Sequence, residues 1–390
     1  MEFTSRFNEM KMLFNLSKED NHIVNSNIEI RNFSFKSSSS LAFPFEDIYD
    51  SYSIEQKLLL VDNEIKENES FRYPVFTPKS ECKFSKAIVL LHGLNEKSWH
   101  KYLPWAYYLA EKTNRPVILF PISFHMNRCP ESWANPRAMM PLLIQRQKLG
   151  NLSKLTFANV ALSERLTEDP LRFFRSGRQS AEDIVELLQT IKRGNHPLLD
   201  SNAQVDFFAY SIGAFLSQIL FIANPKNLFE NSRLFLFCGG ALFSQMRGTS
   251  KLIMDSKAYS RLREFYLGDF VKEMKTSTPF SEYIKSSPLG NAFRAMLAPK
   301  SLRIFRNGMF QRLNERIKII ALKRDQVIPA RFIQSTFSGI RNDFRSLVDV
   351  LDFPYEYSHE VPFPILSNQD YSQVDRCFEK VFSSAVDFLK

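Results

Sequence analysis

The stretch FAYSIGA at residues 208–214 decides both the fold and the chemistry that this sequence predicts. An apolar strand runs into Ser211, and an apolar helix, IGAFLSQILFIA, leaves it. Ala209 and Gly213 are small enough for the sharp strand-to-helix turn of a nucleophile elbow, although glycine is usual at the first of these positions. Such a turn holds the serine hydroxyl above the sheet at a helix N-terminus. The pattern predicts that Ser211 is a nucleophile; the alternative is a serine that only caps the next helix.

A nucleophilic serine needs a histidine base and an acid that orients the histidine. The segment RDQVIP at residues 324–329 follows an apolar strand and places Asp325 just past the end of that strand. Of the six histidines only His359 is C-terminal to Asp325, and it follows the apolar run 348–353. We therefore expect Ser211, Asp325 and His359 to meet at the carboxyl edge of a sheet.

The loop His92-Gly93-Leu94-Asn95 is the candidate for the oxyanion hole, because it directly follows the apolar strand AIVLL. Acyl transfer needs two preorganised N–H donors, one after the serine and one from an earlier loop. The sequence predicts that these donors are the backbone N–H groups of Ile212 and Leu94. We interpret the side chain of His92 as structural.

With LLHGLN at 90–95, FAYSIGA at 208–214, RDQVIP at 324–329 and His359 in this order, residues 70–390 resemble the α/β-hydrolase superfamily, and its serine esterases and lipases in particular. These motifs do not assign the chain to a particular subfamily. The resemblance implies an α/β fold with a mostly parallel eight-stranded sheet, helices on both faces, and an acyl-enzyme that hydrolyses a small-molecule or lipid ester. It implies no metal or organic cofactor. An acyltransferase or amidase uses the same triad, and the rival from another class is a non-catalytic hydrolase-like binding scaffold.

The domain organisation is predicted from where strands and helices alternate. Residues 1–70 do not fit the alternation and are interpreted as an N-terminal extension. The hydrolase core is expected to cover 71–240, with an insertion at 123–177, and to resume at 313–390. Residues 241–312 are too long for an ordinary connection and predict a helical cap.

The loop after the strand at 116–122 is the candidate for substrate contacts, because it starts at the same sheet edge as Ser211. His125, Asn127 and Arg128 are the expected contacts, with Arg128 placed to bind a carboxylate or phosphate. The alternative for Arg128 is that it ties down its own loop.

Composition excludes several classes of protein. Hydrophobic residues make up 44% of the 390-residue chain and charged residues 24%, which argues against disordered, collagen-like and coiled-coil chains. The net charge is +9, and residues 241–324 alone hold 17 basic against 6 acidic residues. Three interpretations of that block are open: it docks on an anionic membrane surface, it attracts an anionic substrate, or it is an ordinary solvated face. No motif indicates nucleic-acid binding.

The cysteines and the apolar runs indicate the compartment. Four cysteines form no CxxC pair and no cluster with histidine, so neither a zinc site nor a disulfide framework is predicted. No secretory signal pattern and no run of about 18 apolar residues occurs. We therefore expect a cytoplasmic protein.

Overall fold

The computed structural model describes residues 2–39, 62–150, 152–338, 347–365 and 370–390. Part of the predicted N-terminal extension, residues 40–61, lies outside the described residues.

Among the described residues, nine strands form a single sheet in the order β1-β2-β3-β5-β4-β6-β7-β8-β9. The strands are β1 Asp20–His22, β2 Ile28–Lys36, β3 Ser70–Pro78, β4 Phe84–Leu91, β5 Val117–Leu119, β6 Leu199–Tyr210, β7 Leu234–Phe237, β8 Ile317–Leu322 and β9 Val348–Leu351. Strands β4 to β9 are parallel, and β1 to β3 pair antiparallel. The predicted mostly parallel α/β sheet is confirmed, with nine strands rather than eight because β1 adds to the edge at β2.

Helices cover both faces of this sheet. In chain order they are α1 Phe3–Leu13, α2 Lys66–Glu69, α3 Leu103–Thr113, α4 Pro136–Gln147, α5 Val160–Glu168, α6 Leu171–Lys192, α7 Ile212–Ala223, α8 Ser256–Glu264, α9 Phe270–Glu273, α10 Pro279–Ser286, α11 Pro288–Ala295, α12 Arg303–Leu313, α13 Ala330–Phe337 and α14 Tyr371–Leu389. No described helix combines the length and the apolar composition that crossing a membrane requires.

Strand β6 shows why the sheet needs cover on both sides. Its side chains alternate between faces: Phe207 and Ala209 belong to the core under α6 and α7, whereas Phe208 and Tyr210 belong to the core under α1, α3 and α14. All four side chains are buried. A strand that is apolar on both faces is typical of the centre of a parallel sheet, and this places the end of β6 in the middle of the carboxyl edge.

The two long connections are largely helical where they are described. Residues 123–177 contain α4, α5 and the start of α6, and residues 241–312 contain α8 to α11 and most of α12. Between α8 and α9 the chain makes a π-helical turn, Phe265–Asp269.

Candidate active site

Ser211 occupies a strained turn between β6 and α7. Its backbone has φ 57° and ψ −117°, a conformation that residues other than glycine rarely adopt and that clusters at functional sites. The turn is tight: a Cβ on Gly213 would lie 2.8 Å from the carbonyl oxygen of His92, and a Cβ on Gly239 would lie 2.3 Å from the Cβ of Ala214. The small residue at 213 therefore has the steric role that the sequence predicts. Gly239, which follows β7, could not be identified from the sequence, because the side chain that leaves no room for a Cβ there belongs to Ala214, 25 residues earlier in the chain.

Ser211, His359 and Asp325 come together as a hydrogen-bonded chain. The Oγ of Ser211 lies 2.6 Å from the Nε2 of His359, and the Nδ1 of His359 lies 2.6 Å from the Oδ2 of Asp325. The other carboxylate oxygen of Asp325 accepts the N–H groups of Val327 and Ile328, each at 2.8 Å. The three side chains are buried, with exposures of 4%, 3% and 3%. This geometry lets the imidazole accept the serine proton while the carboxylate holds the ring.

The loop that carries His359 is held by residues the sequence analysis did not single out. The hydroxyl of Tyr210 donates to the carbonyl oxygen of His359, and the two rings stack with centroids 5.6 Å apart. The Nζ of Lys101 donates to the carbonyl oxygen of Glu360 at 3.1 Å, and the carboxylate of Glu360 accepts from the hydroxyl of Ser250. No local spacing pattern signals these contacts, because the partners come from distant parts of the chain.

The loop after β4 carries Leu94, one of the two residues whose N–H groups are predicted to form the oxyanion hole. Leu94 and Ile212 line the same cavity, and within the described part of the chain no hydrogen-bond acceptor is paired with the N–H of either residue. The hydroxyl of Tyr102 accepts the N–H of Gly93 at 2.9 Å and donates to Glu96 at 2.9 Å, which fixes the loop. Preorganised donors of this kind stabilise a developing negative charge without reorganising.

His92 has a structural role, as we interpret it from the sequence. Its Nδ1 donates to the carbonyl oxygen of Gly93 at 2.8 Å, and its Nε2 accepts the N–H of Ile122 at 2.9 Å. Burial lowers the pKa of His92 to about 3. The ring is therefore neutral at physiological pH and links the loops after β4 and β5.

The prediction that Arg128 contacts the substrate is wrong. Its side chain is fully buried, and its guanidinium pairs with Asp183 at 2.8 Å and donates to Asn68 and to the carbonyl oxygen of Pro121. Burial lowers the pKa of Arg128 to about 10, so it stays charged at neutral pH. Because a buried cation needs such partners, Arg128 ties down its own loop instead.

Asn127 and His125, the other two predicted substrate contacts, differ in whether their polar atoms are already hydrogen-bonded within the protein. The Oδ1 of Asn127 accepts the indole N–H of Trp99 at 3.1 Å and its Nδ2 donates to the carbonyl oxygen of Arg72 at 2.8 Å, so its amide holds the fold together. His125 is buried and lines the cavity that contains Leu94.

Leu94 lines more than one cavity, and two of these cavities lie beside the predicted oxyanion loop. The smaller one, about 60 Å³, is lined mainly by apolar side chains such as Ile122, Phe215 and Phe293. The larger one, about 620 Å³, is lined by α1, by the loop after β4 and by the segment after His359. Among the described residues no three His, Cys, Asp or Glu side chains gather as a metal site.

Three solved structures that are similar to this chain are esterases. A cold-adapted esterase from an Arctic intertidal metagenomic library has 10% identity and a TM-score of 0.40, covering 96% of this chain and 98% of that one. Carboxyl esterase 2 of the mycorrhizal fungus Tuber melanosporum has 9% identity and a TM-score of 0.44, covering 99% and 97%. A bacterial heroin esterase has 8% identity and a TM-score of 0.45, covering 100% and 90%. A comparison with curated proteins finds no match.

The nine-stranded, mostly parallel sheet with helices on both faces has the α/β architecture that the sequence predicts. One family model, described as a family of unknown function (DUF6051), matches residues 1–390. Since that match spans the whole chain, the protein belongs to family DUF6051.

Proposed function

We propose that this protein is a serine hydrolase that cleaves a carboxylic ester through an acyl-enzyme on Ser211. The observation that carries the proposal is the chain of hydrogen bonds from the Oγ of Ser211 through His359 to Asp325, with both links at 2.6 Å. A serine, a histidine and a carboxylate in this order are the groups that nucleophilic acyl transfer requires.

In the acylation step, the Oγ of Ser211 attacks the acyl carbon while the Nε2 of His359 accepts the hydroxyl proton. Asp325 keeps the proton of the ring on Nδ1 and stabilises the imidazolium. The N–H groups of Leu94 and Ile212 donate to the oxyanion; losing one such donor typically costs about 10²–10³ in kcat. The imidazolium then gives its proton to the departing alcohol.

In the deacylation step, His359 takes a proton from water as the water oxygen attacks the acyl carbon. The second tetrahedral intermediate collapses, the proton returns to Ser211, and the carboxylic acid leaves. No metal or organic cofactor takes part in this proposal.

The two cavities are the proposed binding sites for the two parts of the ester, its acyl chain and its alcohol. The small apolar cavity beside Leu94 and Ile212 suits the acyl chain, and the larger one suits the alcohol. Leu289 and Phe293 of α11 line the small cavity, which supports the proposal that residues 241–312 form a cap over the site.

The test is labelling with a fluorophosphonate, with diisopropyl fluorophosphate as a smaller reagent for a narrow entrance. We expect the parent chain to be labelled and Ser211→Ala to be unlabelled. Ser217→Ala, which removes another buried hydroxyl from the same region, is the matched control and keeps its labelling. A series of p-nitrophenyl esters then gives the acyl length.

Two results would contradict the proposal. If neither reagent labels a folded parent chain, the serine is not activated and the binding scaffold becomes the better interpretation. If labelling persists in Ser211→Ala, the nucleophile is another residue. A labelled enzyme that transfers its acyl group to an added alcohol or amine faster than to water would instead be an acyltransferase.

A further inference from the structure

The small apolar cavity proposed for the acyl chain extends along α7, away from the nucleophile. Helix α7 lines it with one face, which covers two turns and consists of Ile212, Phe215, Leu216 and Ile219. From the first to the last of these residues the helix rises by about 10 Å. Because Ile212 directly follows Ser211, an acyl chain attached to the serine would enter at this end of the cavity.

Helix α6 forms the facing wall, and Gly177 lies in the middle of it. Phe173, Gly177 and Ala181 all line the cavity. They are spaced four residues apart, so their Cβ positions lie one above the other on the same face of the helix. The ring of Phe173 lies near that of Phe215 on α7, with centroids 6.3 Å apart. A side chain at residue 177 would therefore project into the cavity one turn of α6 away from Phe173.

The direction of the two helices shows at which depth that side chain would lie. Helix α6 leads into the start of β6 and α7 leaves the end of the same strand, so both helices run from the carboxyl edge of the sheet towards its amino edge. Gly177 is consequently about 6 Å deeper in the cavity than Phe173. Phe293 of α11 packs against the ring of Phe215, with centroids 6.3 Å apart, and forms a third wall.

The described residues give no steric reason for a glycine at this position. The φ angle of Gly177 is outside the left-handed region that favours glycine. A Cβ built on it would meet no atom within 4 Å in the described part of the chain outside its own helix. Yet Gly177 is an interior residue of the 22-residue helix α6, where glycine is less stable than alanine. The missing side chain therefore weakens the helix, and what it provides is free space in the wall of the cavity.

We infer that Gly177 is a specificity-determining residue, which keeps the cavity open so that an acyl chain of medium length can run along α7 past this point. A volume of about 60 Å³ holds about four to six water-sized groups, which is more than an acetyl group fills. The walls are mainly apolar, so each methylene group that reaches them adds to binding. This inference rests on the proposed function and names its substrate class, esters of medium-length acids.

The experiment measures kcat/KM for the p-nitrophenyl esters of acetate, butanoate, hexanoate and octanoate. We expect the parent to favour hexanoate or octanoate over acetate by about tenfold or more, because methylene groups in an apolar pocket discriminate by this amount. Gly177→Leu places an isobutyl group in the path of the chain and is expected to lower the octanoate-to-acetate ratio by about tenfold or more. Gly177→Ala is expected to lower it less and, because alanine favours the helix, to raise the midpoint of urea unfolding.

Gly308→Leu is the matched control, because Gly308 is also an interior glycine of a helix, α12, at which a Cβ meets open space. It lines neither of the two cavities and should leave the octanoate-to-acetate ratio unchanged. Using a ratio removes any general loss of activity in a variant. The alanine variant keeps the test valid if the leucine variant does not fold.

Three results would overturn the inference while the proposed function stands. The first is a parent whose kcat/KM falls steadily from acetate to octanoate, because the chain then has no favourable path past Gly177. The second is an octanoate-to-acetate ratio that does not change in folded Gly177→Leu or Gly177→Ala. The third is an equal fall in Gly308→Leu. A parent without fluorophosphonate labelling would overturn the proposed function first.

Discussion

Replacing Asp325 by asparagine tests the roles assigned to the triad most directly. In the parent, one oxygen of Asp325 accepts from His359 and the other accepts the N–H groups of Val327 and Ile328. An asparagine oxygen must stay on the side of the two N–H groups, because turning the amide would set its NH₂ against two donors and leave them unpaired. The NH₂ of the amide therefore faces the Nδ1 of His359.

That orientation forces the wrong tautomer. The ring must carry its proton on Nε2 in order to accept on Nδ1, so Nε2 can no longer take the proton of Ser211. In a triad of this geometry, the wrong tautomer lowers kcat by about 10⁴, which is about 5 kcal/mol of transition-state stabilisation. KM should change little, because in the proposed mechanism Asp325 contacts His359 and not the ester.

The assay is kcat and KM for p-nitrophenyl butanoate, with the rate of fluorophosphonate labelling measured in parallel. Asp352→Asn is the matched control, because it removes a partly exposed carboxylate that pairs with Arg324 near the same sheet edge. It should keep kcat within about twofold. A loss of less than tenfold in a folded Asp325→Asn chain would refute the reasoning, since another group would then orient His359.

Three further predictions concern packing and stability. Gly213→Ala places a methyl carbon 2.8 Å from the carbonyl oxygen of His92, so we expect slower fluorophosphonate labelling and a lower midpoint of urea unfolding. Gly308→Ala is the control, because a methyl group there meets open space; its labelling rate and its urea midpoint should not fall. Arg128→Met leaves Asp183 buried without its cation. We expect the free energy of unfolding, measured in urea, to fall by about 3–5 kcal/mol, while kcat of the folded fraction stays unchanged. A fall of less than about 1 kcal/mol would contradict this prediction. His92, with a folded pKa of about 3 against about 6.5 unfolded, binds its proton more readily in the unfolded state. Stability should therefore fall as the pH drops below about 6.5, by up to about 1.4 kcal/mol per pH unit from this residue, and a flat profile from pH 4.5 to 6.5 would contradict that.

The candidate site was largely predictable because its determinants are local in sequence. Parallel strands bring their carboxyl ends to one edge of the sheet, so a residue just after a strand is placed there whatever the loops do. Ser211, Asp325 and His359 each follow a strand of this kind. Sequence reasoning was wrong about Arg128, because its partner Asp183 lies 55 residues further along the chain.

The sequence by itself determined the alternation of strands and helices, the sharp turn at Ser211 and the order of the three hydrogen-bonded side chains, because these depend on periodicity and on steric limits between near neighbours. Only the tertiary structure decided which polar groups find partners. The guanidinium of Arg128 finds its ion-pair partner Asp183 inside the protein, whereas the Nε2 of His125 is buried without a partner among the described residues. The physical reason is that hydrogen bonding and desolvation depend on which distant segments pack together, and no local pattern encodes that.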